Sequence, residues 1–325
     1  MRDMTSSRHP RSPRRRAAPV AALLGVALGT VALTGAPAPA PVPRAAPQQD
    51  GPQQGEPQQG APRDGSAAHA GLRRADAPPT VYAHRGASSA APENTLVSDE
   101  VARRGGAEWI ENDVQPSRDG VPYVLHDDTV DRTTDGKGRI RDLTAAQLDT
   151  LDAGSWFAPA YAGTHLPTLA AQLEDLRTRG GRLLLEIKGP HTREEVSRIV
   201  REVRDHGMTG RVFVQSFEAD ALRYTRELAP ELPLGLLRAT LDADPVATAR
   251  ELGLAAYNPS DEALSARPDV IRDLHAAGVA VNVWTVDQPA RWKALTTAGV
   301  DGIITNRPAE LAGWTAAWSP SNNPG

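Results

Sequence analysis

The chain has 325 residues, a formal net charge of −4 and no cysteine. So mild an acidity gives no electrostatic reason to expect nucleic acid or an anionic surface as partner. The missing cysteine excludes disulfides, a thiolate nucleophile, a cysteine-based zinc site and a lipid anchor on sulfur.

The amino terminus reads as an export leader over residues 1–36. Arg11, Arg14, Arg15 and Arg16 form a basic region, and Val20–Leu33 is an apolar run of signal length, too short for a comfortable membrane span. Small residues from Thr34 to Ala36 follow, as a peptidase needs. The pair Arg14-Arg15 hints at twin-arginine export, but its flanks fit poorly. The expected location is therefore secreted or in the cell envelope, with no stable membrane insertion after cleavage. Residues 37–79 are rich in Pro, Gln, Gly and Ala, with the near-repeat Gly51-Pro52-Gln53-Gln54-Gly55 and Glu56-Pro57-Gln58-Gln59-Gly60. Such a composition cannot bury enough apolar surface to offset its ordering entropy, so it is expected to be a disordered linker.

From Val81 the pattern alternates between strand and helix. Strands are predicted at Val81–Ala83, Trp109–Val114, Arg182–Ile187, Arg211–Gln215, Pro233–Leu237, Ala255–Tyr257, Val279–Trp284 and Gly302–Thr305. Helices are predicted at Leu96–Arg104, Leu169–Thr178, Arg193–His206, Ala219–Leu228, Pro245–Leu252, Pro268–Ala277, Ala290–Ala298 and Pro308–Ala317. Gly105, Gly180, Gly207, Gly278 and Gly299 stand where helices should stop. Eight strands alternating with eight helices predict an α/β fold, a (β/α)8 TIM barrel over residues 80–315, with a flexible tail at 316–325.

One strand signal, Pro122–Leu125, breaks the alternation, and marks a short insertion after the second strand at about 115–167. It follows Val114 too closely for a parallel crossover, and Asp119-Gly120 is a hairpin signal. A two-residue turn there pairs positions that sum to 239, placing Asp113 opposite His126. Within the insertion, Thr144 and Gln147 fit a capping box. Trp156, Phe157 and Tyr161 either wall the site or pack the insertion onto the barrel.

Side chains at the carboxyl ends of barrel strands point into the mouth. His84 ends the first strand. Glu111 and Asp113 share one face of the second, and Glu186 and Lys188 repeat that spacing. Three converging carboxylates repel unless a cation neutralises them, and an all-oxygen set favours Ca²⁺ or Mg²⁺. Of the eight histidines, His84 and His126 stand beside these carboxylates as candidates for general acid and base. His165, His191, His206 and His275 look solvated. Arg85 and Lys188 suit phosphate oxygens, though Arg85 has Glu93 as an alternative partner. Asn94 is placed to cap the helix that follows it. Trp284 ends a strand and either stacks on substrate or packs the core. Gln215, Asn258 and Asn306 end strands too, ready to bond substrate or loops.

The chain resembles the glycerophosphodiester phosphodiesterase family, within the phospholipase C-like barrel enzymes. The residues that carry the likeness are His84-Arg85-Gly86, Pro92-Glu93-Asn94-Thr95, Glu111-x-Asp113, Asp119-Gly120, His126-Asp127, Arg132-Thr133-Thr134-x-Gly136, Glu186-Ile187-Lys188, Gln215-Ser216-Phe217, Trp284-Thr285-Val286 and Asp301-Gly302-Ile303-Ile304-Thr305-Asn306. They span Val81 to Leu311. The resemblance implies a TIM-type barrel, a divalent cation and two essential histidines. It implies that His84 and His126 are the acid/base pair and that Glu111, Asp113 and Glu186 are metal ligands. It implies that Arg85 and Lys188 hold phosphate, and that the insertion helps shape substrate access. The expected reaction is metal-dependent hydrolysis of a small-molecule glycerophosphodiester to sn-glycerol 3-phosphate and an alcohol. Alternatives are lysophospholipase D-like or sphingomyelinase D-like cleavage, and a cell-surface module that binds polyol phosphate without cutting it. A nuclease fits less well, because no basic stripe with interleaved aromatics is present.

Overall fold

In a computed structural model, residues 71–74 and 76–319 are described. The predicted leader, the linker up to residue 70 and the last six residues of the tail lie outside them. Strands and helices run β1 (Thr80–His84), α1 (Leu96–Arg104), β2 (Trp109–Pro116), β3 (Pro122–Val124), α2 (Ala145–Leu148), α3 (Leu169–Arg179), β4 (Arg182–Ile187), α4 (Arg193–Asp205), β5 (Val212–Ser216) and α5 (Ala219–Leu228). They continue through β6 (Leu234–Arg238), α6 (Pro245–Leu252), β7 (Ala256–Pro259), α7 (Asp261–Ala266), α8 (Val270–Ala276), β8 (Ala280–Val283), α9 (Pro289–Ala298), β9 (Gly302–Thr305) and α10 (Pro308–Ala316). Eight strands are parallel in the order β1-β9-β8-β7-β6-β5-β4-β2, and β1 also pairs β2, which closes the barrel. Strand β3 hangs antiparallel on β2. Among the described residues, no helix is long and apolar enough to cross a membrane.

Local sequence explains the elements. Thr95, Thr168, Thr192, Asp244 and Ser260 cap helix starts with their side-chain oxygens. The Thr144–Gln147 capping box is present as predicted. The helices expected to stop at glycines end within two residues of them. Helix α7 was not predicted. Its Ser260 cap and acidic Asp261-Glu262 start were a signal, but six residues are too few for a helical period to show.

Alternation along β2 divides its side chains between two environments. Trp109, Glu111 and Asp113 face the barrel interior, while Ile110, Asn112 and Val114 face the helices. Inside the barrel, Tyr82, Trp109, Leu184, Phe213 and Ile304 form an apolar floor. A larger apolar layer lies between strands and helices, and the insertion has a small core of its own around Tyr123, Ile140 and Leu148. Full burial of each such side chain stabilises by about 1.5–3 kcal/mol.

The hairpin register differs from the prediction by one. Val114 pairs Val124 and Gln115 pairs Tyr123, so Asp113 lies opposite Leu125, not His126. The loop has three residues, Arg118 to Gly120. Gly120 takes a positive φ of 79° and its N–H donates to Ser117 O. An odd loop shifts every facing pair by one position.

The last stretch of the predicted linker is docked. Arg73 donates from its backbone to Asp301 Oδ1 at 2.8 Å and from its guanidinium to the carbonyls of Val300, Thr296 and Ala77. Val300 and Asp301 lead into β9, Thr296 is in the last turn of α9 and Ala77 precedes β1, so the anchor lies where strands begin, away from the mouth. Asp301 also takes His275 Nε2 at 2.8 Å and Val281 N at 2.8 Å. His275 is therefore paired, and His191 is buried against Gly189 O; neither is the solvated group expected.

Candidate active site

Register assembles the site. His84 pairs Glu111 across β1 and β2, Asp113 pairs Glu186 across β2 and β4, and Glu186 pairs Gln215 across β4 and β5. Side chains in register on parallel neighbours point the same way, so all of these meet above the apolar floor. Oxygens of Glu111, Asp113 and Glu186 lie within 4.8 Å of one another, and each residue is at most 5% exposed. Burial and the neighbouring Asp113 and Glu186 push Glu111 well above the ordinary glutamate range. Burial and Asp113 push Glu186 up to about 8. Asp113 is also raised by burial, but His126, Arg85 and Lys188 outweigh that and bring it to about 2. Three buried hard oxygen donors within 4.8 Å of one another form a donor set that fits a divalent cation.

Two of the three carboxylates have supports. Glu111 accepts from the Arg85 backbone N–H at 3.1 Å and from Gln215 Nε2 at 3.1 Å. Asp113 accepts from Asn94 Nδ2 at 3.0 Å, and its own N–H donates to Asn94 Oδ1 at 3.3 Å. Asn94 is therefore not the helix cap expected, a task that falls to Thr95. It sits at φ +57°, a left-handed conformation that asparagine tolerates. Gly86 keeps the β1 turn tight, since a Cβ there would lie 2.2 Å from Ser98 Oγ.

The two histidines have different partners. His84 Nδ1 lies 2.7 Å from Asn306 Oδ1. The orientation of Asn306 is set by Asp287, whose carboxylate accepts from Asn306 N and Nδ2 at 2.8 Å each. The amide oxygen must then face His84, so Nδ1 carries the proton and Nε2 is bare. Burial, then Arg85, lowers His84 to about 4. His126 Nδ1 instead donates to Asp127 Oδ1 at 2.7 Å, and Arg132 donates to the same carboxylate. A hydrogen bond from Arg132, ahead of that from His126, keeps Asp127 below the usual aspartate range. Although His126 is not opposite Asp113, it reaches the site from the loop after β3. Gln115 Nε2 grips that loop through the carbonyls of Leu125, His126 and Asp127 at 2.8–3.0 Å.

Arg85 has the Glu93 partnership expected of it and also faces the cavity. It donates to Glu93 at 2.8 Å, lies 3.5 Å from Asp113 and borders the cavity. Glu93 in turn takes two bonds from Arg132, so one ion-pair chain joins the β1 turn to the insertion. Lys188 Nζ stands 2.9 Å from Glu186 and 3.6 Å from Asp113, over the Phe217 ring. The cavity has a volume of about 230 Å³. Charged groups from β1, β2 and β4 form one side, with His126; Gln215, Phe217, Leu237 and Trp284 form the other. Trp284 donates its indole N–H to Asn258 O at 2.7 Å and meets Phe217 edge-on. The Trp156, Phe157 and Tyr161 cluster stacks on itself, bonds Ala90 O and stays outside this lining, so packing is its role.

Sequence reading missed Asn94, Gln115 and Asp287 as supports. Asn94 lay inside a quoted motif, whereas nothing in the local pattern distinguished Gln115 or Asp287 from surface polar residues.

The cavity separates charge. Carboxylates gather at its base while an arginine, a lysine and two imidazoles border them. A substrate with an anionic group next to a cleavable ester uses both, and the class so defined is a phosphoric diester hydrolase on a (β/α)8 barrel. The sequence model of the "Glycerophosphoryl diester phosphodiesterase family" matches residues 84–310. A glycerophosphodiester phosphodiesterase of Caldanaerobacter subterraneus is 35% identical over 236 residues, 71% of this chain and 95% of that protein. One from Bacillus subtilis is 33% identical, over 70% of this chain and 83% of its own length. Among solved structures, an Oleispira antarctica phosphodiesterase in complex with the product sn-glycerol-3-phosphate superposes with a TM-score of 0.70 at 31% identity, covering 74% of this chain and 97% of that one. A glycerophosphodiester phosphodiesterase from Agrobacterium tumefaciens gives 0.65 at 32% identity, with 72% and 99% covered. The chain belongs to the glycerophosphoryl diester phosphodiesterase family.

Proposed function

We propose that this protein hydrolyses small glycerophosphodiesters to sn-glycerol 3-phosphate and an alcohol, with a divalent cation and two histidines. The observation that carries the reading is the unequal pair of imidazoles over one buried acidic triad. Glu111, Asp113 and Glu186 would hold Ca²⁺ or Mg²⁺, which when bound polarises the phosphoryl group and offsets its growing charge. His84, neutral and bare at Nε2, takes the proton from the attacking hydroxyl, either of water or of the substrate's own glycerol. In the second case the product is a cyclic phosphate, which water then opens to glycerol 3-phosphate with the roles of the two imidazoles exchanged. As the new O–P bond forms, the ester P–O bond breaks. His126, oriented by the bond from its Nδ1 to Asp127, delivers its Nε2 proton to the departing alkoxide. Lys188 and Arg85 hold non-bridging oxygens, and Trp284 with Phe217 forms an apolar wall for the glycerol carbons. A cavity of about 230 Å³ suits glycerol phosphate better than a lipid tail.

A substrate panel including glycerophosphocholine and lysophosphatidylcholine, read with coupled glycerol 3-phosphate dehydrogenase, tests this. Release of glycerol 3-phosphate that needs Ca²⁺ or Mg²⁺ and stops in excess EDTA is expected. Activity undiminished in chelator removes the cation, and preference for lysophosphatidylcholine replaces the substrate class.

We also propose that residues 1–36 are a cleaved leader, that 37–70 tether the barrel, and that the enzyme works outside the cytoplasm. The basic-then-apolar pattern supports this. Mass spectrometry of the secreted protein should find a new amino terminus near residue 37; an intact Met1 in the cell pellet alone would refute it.

A further inference from the structure

Away from the charged side, the barrel interior carries a row of neutral amides that the reaction does not call upon. Gln215 Nε2 donates to Glu111 Oε1 at 3.1 Å. Asn258 Nδ2 donates to Gln215 Oε1 at 2.9 Å, and Asn282 Nδ2 donates to Asn258 Oδ1 at 3.1 Å. The three are at most 2% exposed and come from β5, β7 and β8. Strand β6 lies between the first two and contributes Gly235, where a Cβ would come within 2.8 Å of Asn258 Nδ2. At the far end, a Cβ on Gly302 would lie 2.4 Å from Asn282 Oδ1. The two inward glycines leave the space the amides occupy.

The polarity of this row follows from its first member. Glu111 Oε1 is the acceptor, so Gln215 turns its NH₂ to Glu111 and its oxygen to Asn258. Each following amide then has one allowed orientation. The three dipoles align with their positive ends toward Glu111, and a chain of aligned hydrogen bonds strengthens each link.

We infer that Gln215, Asn258 and Asn282 are positioning residues that hold the Glu111 carboxyl group aimed for a divalent cation, so that cation affinity is set partly by strands on the opposite side of the barrel. This rests on the cation reading above. Partners behind metal ligands are worth on the order of 10–100-fold in affinity.

The test titrates MgCl₂ or CaCl₂ into the full chain by calorimetry, beside melting in EDTA. Asn258→Leu keeps the volume but leaves Gln215 free to turn. It should raise the cation Kd about 10-fold or more, with activity returning as cation is raised to saturation. Asn282→Leu cuts only the last link and should raise Kd by a smaller factor. An altered melting point with unchanged Kd in both variants means the amides merely fill the barrel and overturns the proposal. If Asn258→Leu does not fold, Asn282→Leu decides alone by the same criterion. A wild-type chain that binds no cation overturns the cation reading itself, a failure distinct from unchanged affinity in the variants.

Discussion

The two sides of the barrel mouth solve different problems. The arc from β1 through β2 to β4 carries His84, Arg85, Glu111, Asp113, Glu186 and Lys188, all charged or titratable. The arc from β5 to β8 presents Gln215, Phe217, Leu237, Asn258, Asn282 and Trp284, none of which titrates near neutrality. Charge gathered on one arc keeps like charges close enough to need a cation. Neutrality on the other leaves, among the described residues, no competing ion pairs along that wall of the cavity. The contrast teaches that the uncharged arc is tied to the charged one, because Gln215 bonds Glu111 directly and Phe217 and Trp284 line the same cavity.

Substitutions on each arc can break or sharpen that contrast. The largest effect belongs to the charged arc and the loop facing it. His84→Ala and His126→Ala should each lower kcat on the order of 10²–10⁴-fold with an unchanged circular dichroism spectrum; near-normal turnover in either would remove that histidine from proton transfer. Behind the same arc, Asp99 is buried between α1 and β2, accepting from Asn112 and Gln172. Burial raises it to about 6 from 3.8, outweighing those two hydrogen bonds. The folded state thus keeps a proton that the unfolded chain has lost between these values. This contribution is fully favourable below pH 3.8 and is lost as pH rises through 6. Asp99→Asn should flatten the stability–pH curve over that window by about 3 kcal/mol, read from urea midpoints at several pH values; an unchanged slope would show that other groups govern it.

On the neutral arc the expected effect is smaller and of another kind. Trp284→Ala should raise KM by about 10-fold while kcat moves little, as loss of uniform binding does. A collapse of kcat instead would mean that the wall orients the reacting ester. The least effect is expected from Arg132→Met. Arg132 is 44% exposed at its side chain, though it joins Asp127 to Glu93. Exposed ion pairs contribute about 0–1 kcal/mol, so a few-fold fall in kcat is expected, and a 100-fold fall would show that Asp127 depends on it.

The charged arc was legible in the sequence because charge at strand ends is conspicuous: Glu111-x-Asp113 and Glu186-x-Lys188 put alternate residues on one face, and that geometry holds. The neutral arc was not, because glutamine and asparagine occur in loops, caps and cores alike, and only register shows which of them touch. The barrel was readable from periodicity. The hairpin register was not, since Asp119-Gly120 fits both a two-residue and a three-residue loop, and they differ by one step. His126 reaches the site despite that step because Gln115 holds three consecutive carbonyls of its loop, a long-range contact that no local pattern encodes.

Arg73 gives the molecule a front and a back. It fastens the incoming polypeptide to the floor side of the barrel, where the strands begin, whereas substrate enters where they end. The described chain is therefore anchored at the closed side, away from the cavity. Small solutes would still reach the opening from the other direction.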